Sequence, residues 1–387
     1  MKVLHFSPKY SVISETFIYD QINALQQLGI ECSVVSNERL NAKERPFHSV
    51  HIIPNKKIIS DRVTRKLAFG KGFELLPLFI DYDKWKKLLI TQEPDIIHCH
   101  TGNAIKAWYH IRQRLTCNLP LLISLHGSDV TMEPNLKKNY RRFLRIVAQD
   151  NRVYWTVPSM FLKEKALNAF GMNSGNILVV NNGFNNTFSD KHDQPIKNEI
   201  KILSIGRFIP CKGHKYLLQA LPELLVHFPD ASITFIGDGP LYEQSVLLAQ
   251  ELQIADKVTF IRSLPHYKVA EMMMKHNYYV QPSIIDSLTL QEESFGVAAL
   301  EAIASGLPCV VTRCGGLPEV VDILPDKYGK VVPQKDASAI ADALCELIQH
   351  GQGQRIPQDL SKLINDKFSM EQNALNVINI YNQILKN

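Results

Sequence analysis

Residues 293–319 read Glu293-Ser-Phe-Gly-Val-Ala-Ala-Leu-Glu301-Ala-Ile-Ala-Ser-Gly-Leu-Pro-Cys-Val-Val-Thr-Arg-Cys-Gly315-Gly316-Leu317-Pro318-Glu319. Two carboxylates stand eight residues apart. The first lies in a Ser-Phe-Gly loop. The second lies inside a run that reads as a helix over 297–304, stopped by Ser305, Gly306 and Pro308. A short apolar strand, 309–312, and a Gly-Gly turn follow. A loop therefore meets a helix N-terminus, with one acid before the helix and one in its second turn. Free N–H groups at such a terminus favour an anion. The flanking acids can accept hydrogen bonds from several hydroxyls. A phosphate and polyol hydroxyls at one place describe a nucleotide sugar.

A Glu pair at this spacing is common on solvated helices, so the whole 27-residue string carries the argument. It resembles the donor signature of the retaining family 4 glycosyltransferases: two Glu separated by seven residues, Phe-Gly after the first, then Glu-Ala, Gly-Leu-Pro and Gly-Gly-x-Pro-Glu. The resemblance implies an α/β GT-B fold, two Rossmann-like doubly wound domains facing a central cleft. It places Glu301 on ribose hydroxyls and Glu293, as a catalytic residue, on sugar hydroxyls, with the amides of Phe295, Gly296 and Val297 nearby.

Outward from this string, strands and helices alternate along the chain. In the first half, strands are expected at 2–7, 32–36, 96–100, 121–125, 153–157 and 177–180, with a helix at 15–28. In the second half they are expected at 200–205, 232–237, 257–261 and 278–281, with helices at 214–228, 241–252 and 269–275. Alternation of this kind implies parallel sheets covered on both faces. The polar, aperiodic stretch 185–198 reads as a linker. This divides the chain into an acceptor-side domain, 1–190, and a nucleotide-sugar domain, 199–369. Residues 370–385 form an amphipathic helical pattern. The resemblance implies that the terminal helix, 370–387, packs back on the first domain.

Gly206-Arg207 follows the expected strand 200–205, and Lys212-Gly213 precedes the next helix. An Arg fork and a Lys point charge at such a turn suit a diphosphate. The spacing is similar to the family's Gly-Arg-x(4)-Lys-Gly element, so Arg207 and Lys212 are expected to bind the donor. Gly237-Asp-Gly-Pro240 looks like a tight turn beneath that site. Where relatives carry Gly, this chain has Arg262-Ser263, so Arg262 is a candidate to stack on the base or reach a phosphate. His126-Gly-Ser-Asp129 resembles the family's His-Gly-x-Asp loop. His126 is expected to face the donor sugar as a catalytic residue, and Asp129 to orient the loop on the acceptor side. Ser14-Glu-Thr-Phe-Ile18 looks like a string found in bacterial surface-polysaccharide members, which makes Glu15 an acceptor-side candidate. His98 and His100 alternate on a strand end and read as structural.

No Asp-x-Asp pair stands beside the donor string, so no metal ligand and no cofactor are expected. Arg207, Lys212 and a helix terminus supply the charge for a UDP- or GDP-sugar. No Gly-x-Gly-x-x-Gly or phosphate-loop motif follows a strand, which removes the usual signs of nicotinamide or ATP binding. The seven cysteines are scattered and read as reduced thiols.

The 387 residues carry a net charge of +5, unevenly placed: residues 1–190 hold 25 Lys/Arg against 16 Asp/Glu, and the remainder 18 against 22. Basic stretches in the first half interleave apolar residues: Lys56 to Lys71, Lys84 to Lys87 around Trp85, and Lys137 to Arg145. Such segments suit an anionic membrane surface better than nucleic acid, for which no module is present. Residues 1–6 run into a strand pattern rather than an apolar leader, and no apolar run reaches the roughly 18 residues of a span. A cytoplasmic protein, reversibly peripheral on the inner leaflet, is expected.

The function implied is transfer of a sugar, with retention, from a nucleoside-diphosphate sugar to a hydroxyl of a glycan or lipid-linked glycan in bacterial surface polysaccharide synthesis. A nucleotide-sugar epimerase and a non-catalytic nucleotide-sugar-binding protein are the alternatives. The residues leave front-face attack and double displacement both open.

Overall fold

The computed structural model describes residues 1–12, 15–55, 80–184, 200–351 and 354–386. Ser14, the basic run 56–71 and the linker stretch 185–198 lie outside the described residues. The chain forms two compact units. The first comprises Met1–Pro158, Leu162–Gly183 and Met370–Asn387; the second comprises Ser159–Phe161 and Phe184–Ser369.

In the first unit the strands are β1 (Lys2–Phe6), β2 (Lys9–Tyr10), β3 (Glu31–Ser36), β4 (Glu38–Arg39), β5 (Val50–Ile52), β6 (Ile96–His100), β7 (Leu121–Ser124), β8 (Val153–Val157) and β9 (Ile177–Val179). Seven of them make a parallel sheet in the order β5-β3-β1-β6-β7-β8-β9, while β2 and β4 pair separately. Strand order reverses between β1 and β6, and the chain leaves both strands at the same sheet edge. Open α/β sheets bind ligands at such a switch point.

The helix Thr16–Gln27 covers one face of this sheet through Ile18, Ile22 and Leu25. The C-terminal helix Met370–Lys386 lies against it, adding Ala374, Val377, Tyr381 and Ile384 to the same core. Its buried polar groups are satisfied inside the unit. Gln21 Nε2 donates to Asn373 Oδ1 at 2.8 Å, and Asn373 Nδ2 donates to the Asn181 carbonyl at 2.6 Å. Trp85 is 2% exposed and packs edge-on to Phe6, 5.0 Å between centroids. Expected beside the basic residues as a surface contact, it is a core residue instead. Its large apolar ring fills the layer between the sheet and the helix Tyr82–Gln92.

The second unit holds β10 (Lys201–Ile205), β11 (Ser232–Ile236), β12 (Val258–Ile261), β13 (Tyr278–Gln281), β14 (Cys309–Thr312) and β15 (Gly329–Val332), all parallel, in the order β12-β11-β10-β13-β14-β15. The switch point here falls between β10 and β13. One face is covered by the helices His214–His227 and Ala337–Gly351, and the other by His266–Met274, Val297–Ala304 and Gln358–Phe368. Two apolar cores result, one on each face, as a doubly wound sheet requires.

All seven cysteines are unpaired. No helix among the described residues is long and apolar enough to cross a membrane.

Candidate active site

At the switch point of the second unit, β10 ends and the chain turns through Gly206-Arg207. A short 3₁₀ turn, Pro210–Lys212, then delivers Lys212 and Gly213 to the start of the helix His214–His227. Gly213 has φ +62°, and a Cβ there would stand 2.0 Å from the Pro282 carbonyl oxygen. Only glycine allows both the left-handed backbone and that approach. The turn is thereby seated on the segment that leaves β13.

β13 contributes Gln281, and the next residues contribute Ser283. The loop before the helix Val297–Ala304 brings in Glu293. Lys212 Nζ lies 2.5 Å from Glu293 Oε2. Gln281 Nε2 donates to the same oxygen at 2.7 Å and Ser283 Oγ at 3.4 Å. Burial pushes the Glu293 carboxyl up. The Lys212 ammonium and the hydrogen bonds from Lys212, Gln281 and Ser283 pull it down further, leaving it ionised and below the usual carboxylate range. Oε1 of Glu293 accepts nothing from the described residues. The Arg207 guanidinium is exposed and has no partner among the described residues.

The Gly-Gly turn holds this loop from behind. Gly315 has φ +58°, and a Cβ would meet the Glu293 carbonyl oxygen at 1.8 Å; the Gly316 N–H donates to that carbonyl at 3.1 Å. Gly296 precedes the helix Val297–Ala304, whose first turn has neither a side-chain cap nor an acid. Its leading N–H groups are therefore open to an anion. Glu301, one turn on and 8% exposed, accepts a contact from His266 Nε2 at 3.1 Å. The structure thus gathers Lys212, Glu293 and Glu301 on neighbouring elements of one unit. It adds three residues the sequence reading did not single out: Gln281, Ser283 and His266. A polar residue closing the apolar run Tyr-Tyr-Val-Gln was the available signal for Gln281.

Arg262 is engaged elsewhere. It stacks 4.0 Å above the Tyr242 ring and pairs with Asp238 at 2.7 Å and with Glu243. These partners hold its guanidinium over the turn 237–240.

In the first unit, the His126 loop leaves β7. Asp129 accepts the N–H groups of His126, at 3.0 and 3.2 Å, and of Gly127, at 2.9 Å. It is a loop clamp, with its carboxyl pushed up to about 6 by burial against the pull of those backbone bonds. The His126 ring lies 4.7 Å from Phe17, in the first turn of the helix that Glu15 precedes, and is parallel to His100 at 5.9 Å. Burial pushes the His126 imidazole down to about 3, so it is neutral. His98 and His100 are fully buried. His98 bonds Tyr381 Oη at 2.6 Å and Ser124 Oγ at 2.7 Å, and His100 Nε2 meets His5 Nδ1 at 3.1 Å.

The nitrogens of His5, His98 and His100 come within 4.8 Å of one another, the spacing of a metal group. The His98 and His100 rings are stacked, at 4.2 Å and 28°, and both nitrogens of His98 are already bonded. In-plane lone pairs of stacked rings do not converge on one ion.

Sequence comparison agrees with this architecture. The Glycosyltransferase Family 4 model matches residues 14–188, and the model for glycosyl transferases group 1 matches residues 186–362. The chain belongs to glycosyltransferase family 4. The GDP-mannose-dependent alpha-(1-6)-phosphatidylinositol monomannoside mannosyltransferase of Mycolicibacterium smegmatis is 33% identical over 156 residues, 40% of this chain and 39% of that protein. A candidate colanic acid biosynthesis glycosyltransferase of Escherichia coli, WcaL, is 22% identical over 375 residues, 90% of this chain and 91% of that one. Among solved structures, Anabaena HepE in complex with UDP and glucose superposes with a TM-score of 0.75 at 17% identity, covering 99% of both chains. The fold is GT-B.

Proposed function

We propose that this family 4 enzyme is a retaining glycosyltransferase that moves a sugar from a UDP- or GDP-sugar to a hydroxyl of a glycan or lipid-linked glycan in bacterial surface polysaccharide synthesis. The observation that carries the reading is the state of Glu293. One oxygen is locked to Lys212, Gln281 and Ser283, the other is open, and an unengaged Arg207 and an uncapped helix terminus belong to the same unit.

In this reading Arg207, Lys212 and the amides of Phe295, Gly296 and Val297 hold the diphosphate. Glu301 takes the ribose hydroxyls and Glu293 Oε1 takes a sugar hydroxyl. Lys212 has three donors, so it can serve Glu293 and a phosphate oxygen together. The bond from C1 to the diphosphate breaks, and the acceptor oxygen bonds to C1 on the same face. The acceptor proton passes to the departing phosphate oxygen. Fixed cations stabilise the charge that develops there. His126 serves as a catalytic residue, while Glu15 and Asp129 belong to the acceptor side, Asp129 holding the His126 loop. The UDP and glucose in HepE, and the GDP-mannose and colanic acid in the relatives' names, support the donor class and the setting.

Screening UDP- and GDP-sugars by thermal shift finds the donor, because a ligand of the folded state raises the melting temperature. With that donor and a bacterial glycolipid extract, transfer is expected to persist in EDTA. Loss of transfer in EDTA, restored by magnesium or manganese, would refute the metal-free reading.

A further inference from the structure

Glu293 is held unevenly, and the strand that holds it explains how. Tyr279 and Gln281 are two apart on β13, so their side chains leave the same face of the sheet. Tyr279 is fully buried and Gln281 is 3% exposed. The Tyr279 hydroxyl donates toward Gln281 Oε1 and the Ile205 carbonyl, each at 3.3 Å. Burial pushes this phenol well up, so it keeps its proton and remains a donor. With Oε1 of the amide turned toward a hydroxyl proton, Nε2 must face the other way, where Glu293 Oε2 lies 2.7 Å off. The strand cannot slide to relax this. Leu203 on β10 and Cys309 on β14 pair with Tyr279 from either side. Ser283 is fixed too, since the Thr312 hydroxyl donates to its carbonyl.

We propose, resting on the donor-site reading above, that Tyr279 and Gln281 are positioning residues for Glu293: they hold its Oε2 against Lys212 so that Oε1 is presented to a hydroxyl of the donor's sugar. Neither touches the reacting atoms. Without the amide, the carboxylate can rotate about its last bond and spend both oxygens on Lys212. The sugar then loses an acceptor while the diphosphate keeps its cations. The relay thus separates recognition of the sugar from recognition of the nucleotide.

Calorimetry with UDP-glucose, GDP-mannose, UDP and GDP tests this on the full chain, through the ratio of nucleotide-sugar to nucleotide affinity. Gln281→Leu is expected to lower that ratio about tenfold and Tyr279→Phe by a smaller factor, with UDP or GDP affinity unchanged. Gln281→Glu places a second carboxyl beside Glu293. The ratio should be lost at about pH 8 and recover toward about pH 5, where the introduced carboxyl is protonated and donates its O–H. That recovery is a signature that packing alone does not produce. If Gln281→Leu fails to fold, the near-isosteric Tyr279→Phe and Gln281→Glu carry the test. Wild-type ratios with no pH dependence in these variants would overturn the relay while leaving the donor site standing, and so would equal losses of nucleotide and nucleotide sugar. A wild-type protein that binds none of the four ligands would overturn the donor-site reading and the relay with it.

Discussion

Three nitrogen atoms at the ends of β1, β6 and β7, Nε2 of His5, Nδ1 of His100 and Nε2 of His126, are buried without a hydrogen-bond partner among the described residues. With His98 they form a block of four imidazoles that desolvation keeps neutral, His5 and His126 pushed down to about 3 and the other two well below their ordinary value. The unfolded chain binds protons on these groups below about pH 6.5 and the folded chain does not. Their contribution to stability is therefore complete above that pH and is lost as pH falls toward 3. Asp129, raised to about 6, works the other way as pH falls, one carboxyl against four imidazoles. All three tryptophans, Trp85, Trp108 and Trp155, lie buried in the first unit, so their fluorescence reports its melting alone. The melting temperature read this way is expected to drop steadily from about pH 7 to about pH 4. A flat profile would show that the cluster protonates without penalty. At this scale residue type and motif spacing singled out Lys212, Glu293 and Glu301, and the fold brings Lys212 against Glu293. The sequence was silent on which atoms meet. Gln281 and Tyr279 matter through strand register, and His5 through its pairing opposite His98, neither of which a linear pattern displays.

Elements were readable because each carries its own period and its own stop. The helix Val297–Ala304 and the strands Ile96–His100, Val153–Val157, Tyr278–Gln281 and Cys309–Thr312 match the apolar runs and their Gly and Pro boundaries residue for residue. The helix expected at 269–275 instead runs His266–Met274, because Pro265 provides an earlier start than apolar spacing alone suggests. The turns hold the functional geometry. Gly315 is the sharpest case, with a left-handed backbone and no room for a Cβ against the Glu293 carbonyl. Gly315→Ala is expected to cost about 1–3 kcal/mol of stability from backbone strain. It should also weaken nucleotide-sugar binding, since the clash is relieved only by moving the Glu293 loop. Denaturant melts and calorimetry check the two effects. Loss of stability with unchanged donor affinity would detach the turn from the site.

On the scale of the whole molecule, both sheets follow one winding, with order reversing between β1 and β6 and between β10 and β13. Strand and helix alternation gave the α/β class, while the strand order came only with the structure, since local patterns do not encode which strands neighbour which. Charge also reads differently in three dimensions. Of the basic block near the helix Lys138–Val147, Lys137 pairs with Glu133, and Arg141 and Arg145 donate to the Ala169 carbonyl. Lys138 and Arg142 stand exposed beside the exposed apolar residues Leu136 and Ile146. With about 1 kcal/mol per basic residue near an anionic surface, docking through this helix should be weak and salt-sensitive. In sedimentation with phosphatidylserine vesicles, Lys138→Ser with Arg142→Ser is expected to reduce binding severalfold; equal binding to neutral vesicles would discard the membrane reading. Lys212, Glu293 and Glu301 are proposed to form a nucleotide-sugar site. Calorimetric titration of the wild type with the donor found by thermal shift tests it most directly, with Lys212→Ala and Glu301→Ala alongside. Each variant removes one charge-assisted contact of about 1.5–3 kcal/mol, so affinity should fall at least tenfold in both. Affinity unchanged in both variants would rule that site out.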